Sequence, residues 1–103
     1  MYADKLKSIN IPGSVKSISS YAFYNCINLD EVRLDEGLSI IHDGAFEGTR
    51  LSKKFIIPKS VRYIAGDAFD EVEDLHALVY KDSYAHKWFT KSDADESVYE
   101  VIP

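Results

Sequence analysis

Apolar residues recur along this chain at one fixed interval. The dipeptide Ala-Phe occurs three times, at 22–23, 45–46 and 68–69, so each occurrence follows the previous one by 23 positions. One period shared by several apolar sets indicates a repeat protein rather than a chain of unrelated elements. Five sets keep the interval: Phe23, Phe46 and Phe69; Ile18, Ile41 and Ile64; Val15, Leu38 and Val61; Ile11, Leu34 and Ile57; and Ile9, Val32 and Phe55.

Each repeat combines extended segments with a compact turn. In the first repeat Ile9 and Ile11 alternate with polar residues, which is typical of a strand with one buried face. Pro12 and Gly13 then turn the chain, and Val15 begins a second extended piece before the compact stretch "SSYAFYNC". The first strand-like segment recurs five times, at about 6–11, 29–34, 52–57, 75–80 and 98–102.

The period has one local irregularity. Leu6 and Leu29 begin two successive segments, but the residue 23 positions after Leu29 is Ser52, and the neighbouring Leu51 indicates a slip of one residue. Beyond it, Leu78 and Val101 follow Phe55 at further intervals of 23. We therefore expect these two residues to continue the inward-facing set.

A single repeat unit is too small to bury its own apolar face, but stacked units can cover one another. In such a stack, residues one period apart lie side by side, about 4.8 Å apart on neighbouring strands. Phe23, Phe46 and Phe69 would then form an aromatic column inside the coil. The sequence thus predicts an α/β repeat solenoid, a short right-handed coil with a parallel sheet of about five strands and a C-terminal helix-strand cap. One domain spans residues 1–103, with units at about 6–28, 29–51 and 52–74 and the cap at 75–103.

Composition restricts the function classes. The chain is 46% hydrophobic, as in a globular protein, and its formal net charge is −5 with scattered basic residues, which disfavours nucleic acid as a partner. No apolar run reaches the roughly 20 residues that span a bilayer, and no signal peptide is visible in this chain. Cys26 is the only cysteine, so no intramolecular disulfide can form.

The repeat resembles the BspA-like, or Treponema-type, leucine-rich repeat, whose unit reads L-x-x-I-x-I-P-x-x-V-x-x-I-x-x-x-A-F-x-x-C. The stretch "LKSINIPGSVKSISSYAFYNC" at 6–26 matches it nearly completely. The second unit lacks the proline and the cysteine, and Val72 stands in the cysteine position of the third. The end of the chain resembles the closing segment of the family, with Asp82 in place of a glycine.

The resemblance implies a binding role. Members of the family are mostly surface or secreted proteins implicated in adhesion and protein binding. We therefore expect a non-enzymatic protein-interaction module that is extracellular or on a cell surface, with an unidentified protein ligand. The alternative is a structural spacer, or the terminal part of a longer repeat array, without a ligand of its own.

Candidate chemistry is sparse, and we expect no catalytic, cofactor or metal site. Cys26 has no His and acid partners at a recognisable spacing, so a small core residue is the better interpretation. The three histidines lack zinc-ligand spacing. The stretch "DADES" at 93–97 resembles a calcium loop, but Val98 stands where the loop needs glycine. An acidic run at 67–74 is interpreted as a solvated turn. The stretch "DSYAHKWFT" predicts a short helix, on which Tyr84 and Trp88 share a face four positions apart, so Trp88 is interpreted as part of the cap.

The outer face of the strands is the candidate partner-binding surface. If Ile9 and Ile11 point inward, the residues between them point outward, and the same holds one period on. Contiguous exposed apolar residues indicate a contact site, although strand propensity alone also explains them. The predicted face comprises Arg33, Lys54, Ile56, Val79 and Ile102. On the same face Glu31 and Lys54, one period apart, would be lateral neighbours of opposite charge.

The N-terminal end of the stack lacks a recognisable cap, and an uncovered coil exposes its core and an unpaired strand. Two explanations remain open from the sequence. Either a preceding coil of a longer array covers this end, or two chains associate through residues 1–24. For an isolated chain we expect a homo-oligomer through this N-terminal edge.

Overall fold

The computed structural model of the protein describes residues 5–72, 74–92 and 96–103. Short strands alternate with turns, and one helix lies near the C-terminal end. The elements are β1 (Ser8–Ile11), β2 (Ser17–Ile18), β3 (Glu31–Leu34), β4 (Ile40–Ile41), β5 (Phe55–Ile57), β6 (Tyr63–Ile64), β7 (Ala77–Tyr80), α1 (Tyr84–Lys91), a 3₁₀ turn (Glu96–Val98) and β8 (Tyr99–Ile102).

All strand pairs are parallel, and the five predicted strand segments each contain a strand. Strands β1 and β3 form one ladder, with Ile9 beside Val32. Strands β5, β7 and β8 form another. The prediction of a single five-stranded sheet is wrong, because among the described residues no ladder joins β3 to its neighbour β5.

The break between β3 and β5 follows from the irregularity at Leu51. The N–H of Leu51 donates to Leu29 C=O at 2.9 Å, whereas the N–H of Lys53 donates to Asp30 C=O at 3.2 Å. The third repeat therefore carries one extra residue at Ser52, and Leu51 adopts a left-handed backbone with φ 40°. An extra residue in one strand disrupts the ladder locally, as in a β-bulge. Leu51 is fully buried, so the predicted slip is confirmed.

The interval shortens to 22 positions after β5, since Phe55 is aligned with Ala77, and this corrects the predicted orientation of β7. Ile57 is likewise aligned with Val79. Val79 is therefore fully buried and not on the outer face, where Leu78 stands instead. A shift of one residue exchanges the two faces of a strand, and the stretch "ALVY" is apolar at every position, so alternation could not reveal the shift.

The second extended piece of each repeat forms a separate parallel sheet in the order β2-β4-β6. After it comes the Ala-Phe turn, closed by hydrogen bonds between residues three apart, such as Ala22 N–H to Ser19 C=O at 3.1 Å. Neighbouring turns are also bonded to each other. The N–H of Phe23 donates to Ala45 C=O, and the N–H of Phe46 donates to Ala68 C=O, both at 2.8 Å.

The three phenylalanines form the predicted aromatic column. The ring centroids of Phe23 and Phe46 are 5.3 Å apart, and those of Phe46 and Phe69 are 5.5 Å apart with nearly parallel planes. Phe46, in the middle, is fully buried. The rings of Trp88 and Phe69 pack edge to face with their centroids 6.2 Å apart, so the helix covers the C-terminal end of this column.

The helix and strand expected at the C-terminal end are both present. Helix α1 begins after Ser83, whose Oγ accepts from the N–H of His86 at 3.1 Å, and this bond satisfies one of the free donors of the first turn. Phe89 is buried, and its ring stacks on Tyr99 of β8 at 5.2 Å. The Tyr84 hydroxyl accepts from the N–H of Ile64 at 3.3 Å, at the edge of β6.

Candidate functional site

The outer face of β3, β5 and β7 contains a shallow groove of about 460 Å³. Residues 31–36 form one side of it, and the floor and the other side come from β5, β7 and the chain beside them. The groove lies over the break between β3 and β5. The extra residue at Ser52 that interrupts the ladder therefore coincides with the depression in the outer surface.

The floor of the groove is apolar. Ile56 is 41% exposed, although it lies in the middle of the row of strands. Its neighbour in register is Leu78, and Tyr80, Pro58 and Phe55 also contribute to the apolar lining, with Val32 and Leu34 on the β3 side. Lys59 places its Nζ 4.8 Å from the centre of the Tyr80 ring, a cation–π contact that orients the tyrosine.

The charged groups around the floor are largely paired within the chain. The Arg33 Nε lies 3.3 Å from Asp35 Oδ1. The Glu36 carboxylate accepts from the backbone N–H groups of Lys59 and Ser60 at 3.0 and 3.2 Å. Internally paired charges around an apolar centre give the arrangement of a protein–protein contact, with an apolar core and a polar rim.

Lys54, at the edge of the groove, belongs to a cluster of polar side chains that links β5 to β8. Glu100 Oε1 lies 3.5 Å from Lys54 Nζ and 3.5 Å from His76 Nε2. The sequence indicated a lateral Glu31–Lys54 pair instead. That pairing is wrong, because Lys53 faces Glu31 at 3.9 Å and Lys54 reaches β8.

The structure brings together three of the five predicted site residues. Arg33, Lys54 and Ile56 line the groove. Ile102 lies beside Tyr80 in the register of β7 and β8, outside the groove lining, and is partly buried. Val79 points into the core, as the register requires.

The repeat pattern did not place several apolar groups in the groove, among them Leu78, Tyr80 and Pro58. Pro58 follows β5 and is itself almost fully buried. The small side chain of Ala77 suits the crowded inward position beside Phe55, and an inward Ala77 would place Leu78 and Tyr80 on the outer face. The regular period of 23 predicts the opposite orientation of the strand. Only the observed register decides between the two orientations.

A second depression, of about 450 Å³, lies on helix α1 between Tyr84 and Trp88 and the side chains of Lys87, Lys91 and Ser92. Trp88 is partly buried against Phe69 and Phe89, the latter at 4.9 Å. The indole therefore packs as part of the C-terminal end of the stack, as the spacing of Tyr84 and Trp88 predicts.

The acidic turns have a structural role beyond solvation. Asp67 Oδ1 accepts from the N–H of Gly44 at 3.0 Å and so links the second and third turns. Partial burial raises the pKa of Glu47 above its ordinary value, and the negative charges of Asp67, Asp70 and Glu71 raise it further. The carboxylates on this side therefore repel one another in the folded state.

Other chemistry is not assembled. Cys26 is 1% exposed, and Thr49, one period on, is 2% exposed, so both fill a core position. Within residues 5–72, 74–92 and 96–103, no group of three or more His, Cys, Asp or Glu side chains could hold a metal ion. The calcium-like stretch at 93–97 lies partly outside the described residues.

Comparison with protein families adds a decisive match to this geometry. A family model described as a BspA-type leucine-rich-repeat region of six copies matches residues 1–90. The chain belongs to the BspA-type leucine-rich-repeat family. No curated protein and no solved structure matches the chain significantly.

The BspA-type repeats explain where the chemistry of the outer surface varies. In a leucine-rich repeat the repeated positions are those that stack, and the positions between them vary in chemistry. Here the varying positions are the outward residues of β1, β3, β5 and β7, where polar groups give way to Ile56 and Leu78. In the part of the chain that the structure describes, no helix is long and apolar enough to cross a membrane.

Proposed function

We propose that the chain is a non-enzymatic protein-interaction module that binds a protein ligand through the groove over the β3–β5 break. One observation carries the proposal: Ile56 is 41% exposed at the centre of the row of strands, beside Leu78 and Tyr80, while the surrounding charges are paired within the chain. An apolar patch of this kind on an otherwise charged surface is where proteins bind one another.

The architecture that presents this groove is a short right-handed solenoid of units at about 6–28, 29–51 and 52–74, closed by residues 75–103. Members of the family are typically surface or secreted proteins, and this supports a location at the cell surface and an adhesive role for this chain. Stacked repeats keep the backbone rigid, so the binding site is formed before the ligand arrives. Binding then costs the conformational entropy of the ligand but little of that of the module.

The ligand chemistry follows from the groove. An apolar side chain of the ligand would fill the space above Ile56 and Leu78. A few buried side chains carry most of the binding energy of a protein interface, so this aromatic or aliphatic group would supply much of the affinity. We therefore expect selected ligands to share one large apolar residue flanked by polar ones.

A peptide library selected on the immobilised chain tests the proposal. Binders should lose at least about tenfold in affinity, or about 1.4 kcal/mol, with Ile56→Asp or Leu78→Asp. Ile27→Asp is the matched control, because Ile27 is a 55% exposed isoleucine outside the groove lining. Binders that ignore both groove variants, or that respond equally to the control, would contradict the assignment.

The alternative is a structural spacer or terminal segment of an array, whose surface has no ligand of its own. In that case the peptide selection would return no set of peptides that compete with one another for binding to the groove. The exposure of Ile56 favours the binding module, because a spacer has no need of an apolar depression on its outer face.

A further inference from the structure

A carboxylate at one end of the groove floor has two nitrogen groups beside the same oxygen. The register of β5, β7 and β8 aligns Ile56, Leu78 and Glu100 in one row across the strands. Glu100 therefore lies at the end of the apolar floor. Its Oε1 atom is 3.5 Å from Lys54 Nζ and 3.5 Å from His76 Nε2, so the two groups share one acceptor oxygen.

The surroundings of His76 leave its Nε2 atom without a hydrogen bond. The histidine lies beside Lys54, because each precedes its strand by one residue in the aligned register of β5 and β7. The Nε2 atom is buried and has no hydrogen-bond partner in the part of the chain that the structure describes. Among the described side chains, Glu100 is the only carboxylate in ion-pair contact with it, and Asp74, two positions earlier, makes no such contact.

Protonation changes the net charge of this Lys54–Glu100–His76 cluster. Histidine is the side chain whose charge ordinarily changes between about pH 5 and pH 8. While the imidazole is neutral, the Lys54 ammonium compensates the Glu100 carboxylate. The protonated imidazole would donate from Nε2 to the same carboxylate, so a buried nitrogen without a partner would gain a charge-assisted hydrogen bond. The cluster would then be positive instead of neutral.

Lys54 is the member of the cluster that lines the groove. Its side chain is 59% exposed, so it can move away from Glu100 without uncovering the core. Once the imidazolium compensates the carboxylate, the ammonium is attracted to it less strongly and can pair with a group in the groove. Ion pairs between exposed side chains are weak, so one additional charge beside the carboxylate is enough to change the pairing.

The other charges of the groove leave this change at one end. Arg33 is paired with Asp35, and the Glu36 carboxylate accepts from two backbone N–H groups. Neither arrangement includes a histidine, so the gain of charge is confined to the end at Glu100. A cation released beside an apolar floor fits a ligand with a carboxylate next to a large apolar side chain.

We propose that the groove changes its ligand preference with pH through the Lys54–Glu100–His76 cluster, and that it favours acidic peptide segments when His76 is protonated. The inference rests on the proposed function, since it concerns the ligand of that same groove. The preferred segment carries an acidic residue beside its apolar anchor. It should bind about two- to fivefold more tightly at about pH 5.5 than at about pH 8, the range that exposed ion pairs contribute.

NMR of the isotope-labelled chain without any ligand tests the cluster itself. We expect the ε-methylene signal of Lys54 to shift between about pH 8 and pH 5.5 with the same midpoint as the ring of His76. The variant His76→Gln keeps a polar side chain but has no proton to gain, and it should abolish this shift. Lys53 is the matched control, because it pairs with Glu31 at 3.9 Å in an ion pair without a histidine.

Peptide binding tests the ligand preference. A peptide that is selected on the chain and depends on Ile56 is made in two versions, with glutamate or glutamine beside its apolar anchor. Between about pH 8 and pH 5.5 the glutamate version should gain about two- to fivefold in affinity relative to the glutamine version. His76→Gln should remove this gain. His42→Gln, which removes a histidine next to β4 in the other sheet, should leave it unchanged.

Three results would overturn the inference: a Lys54 signal that does not follow the titration of His76, an equal pH response of the two peptides, or a gain that persists in His76→Gln. Failure of the proposed function looks different. No selected peptide would then depend on Ile56 at any pH, whereas the NMR titration without ligand would still decide whether the cluster responds to the proton.

Discussion

At the scale of single residues, the three turns place a residue in the left-handed backbone region at the same repeat position. Asn25 has φ 54°, Gly48 has φ 77° and Glu71 has φ 54°. Glycine and asparagine adopt this conformation readily, whereas other L-residues are strained by contact between Cβ and the backbone. Only the third turn therefore stores strain at this position.

Glu71→Asn should raise the free energy of unfolding by about 0.5–1 kcal/mol, because asparagine tolerates the left-handed region. Urea denaturation measures the change. Glu71→Gln is the control, since it removes the same negative charge and keeps the strain. If glutamine stabilised the chain as much as asparagine does, charge rather than backbone strain would be the cause.

The pKa of Glu47 makes stability depend on pH in a defined direction. Because partial burial and the neighbouring carboxylates raise this pKa in the folded state, the folded chain binds the proton more tightly than the unfolded chain. Ionised Glu47 therefore destabilises the fold above its folded pKa. That penalty disappears as the pH falls through the folded pKa and below the ordinary value of 4.5.

Glu47→Gln should accordingly be more stable than the parent at neutral pH, and the two should converge below the ordinary pKa of a glutamate. Thermal melts at a series of pH values test this. Removing one repelling neighbour with Glu71→Gln should give a smaller gain of the same sign. A variant whose advantage persisted unchanged at acidic pH would show that the ionisation of Glu47 is not the cause.

At the scale of elements, the junction from β5 to β7 decides which side chains face the groove. The interval of 22 positions between aligned residues of these strands places Leu78 outward and Val79 in the core. An interval of 23 would exchange them. The two residues are adjacent and both apolar, so they form a matched pair for testing the register.

Val79→Asn should cost at least about 2 kcal/mol, since it removes a buried valine and buries an unpaired amide. Leu78→Asn should cost less than about 1 kcal/mol, because it changes a partly exposed side chain. Equilibrium unfolding of the two variants gives the comparison. The reverse order of costs would mean that the period of 23 continues through β7.

At the scale of the whole molecule, stability comes from stacking, because each repeat covers the next. The phenylalanine column shows this most clearly. Phe46 stacks on a ring on each side, whereas Phe23, among the described residues, stacks on Phe46 alone and is only partly buried. The same residue type thus occurs in the interior and at the end of one column.

Phe46→Ala should cost about 3–5 kcal/mol, as expected for a large buried side chain. Phe23→Ala should cost markedly less, because Phe23 is only partly buried. Equal losses at the two sites, measured by equilibrium unfolding, would contradict the stacked arrangement.

The sequence by itself determined the repeat, the five strand segments, the aromatic column and the position of the helix. These features are readable because each depends on residues that recur at a fixed interval or lie close together in the chain. The slip at Leu51 was visible for the same reason, since leucine stands one position away from where the period requires it.

Only the tertiary structure decided the division of the strands into two ladders, the inward direction of Val79 and the groove over the break. In "ALVY" every position is apolar, so alternation does not distinguish the two faces, and the choice depends on packing against Phe55 and Tyr99. The partner of Lys54 likewise depends on how far a long side chain reaches across strands, and here it reaches Glu100 of β8. Such long-range choices are made by contacts between residues distant in the chain, which a periodic pattern does not encode.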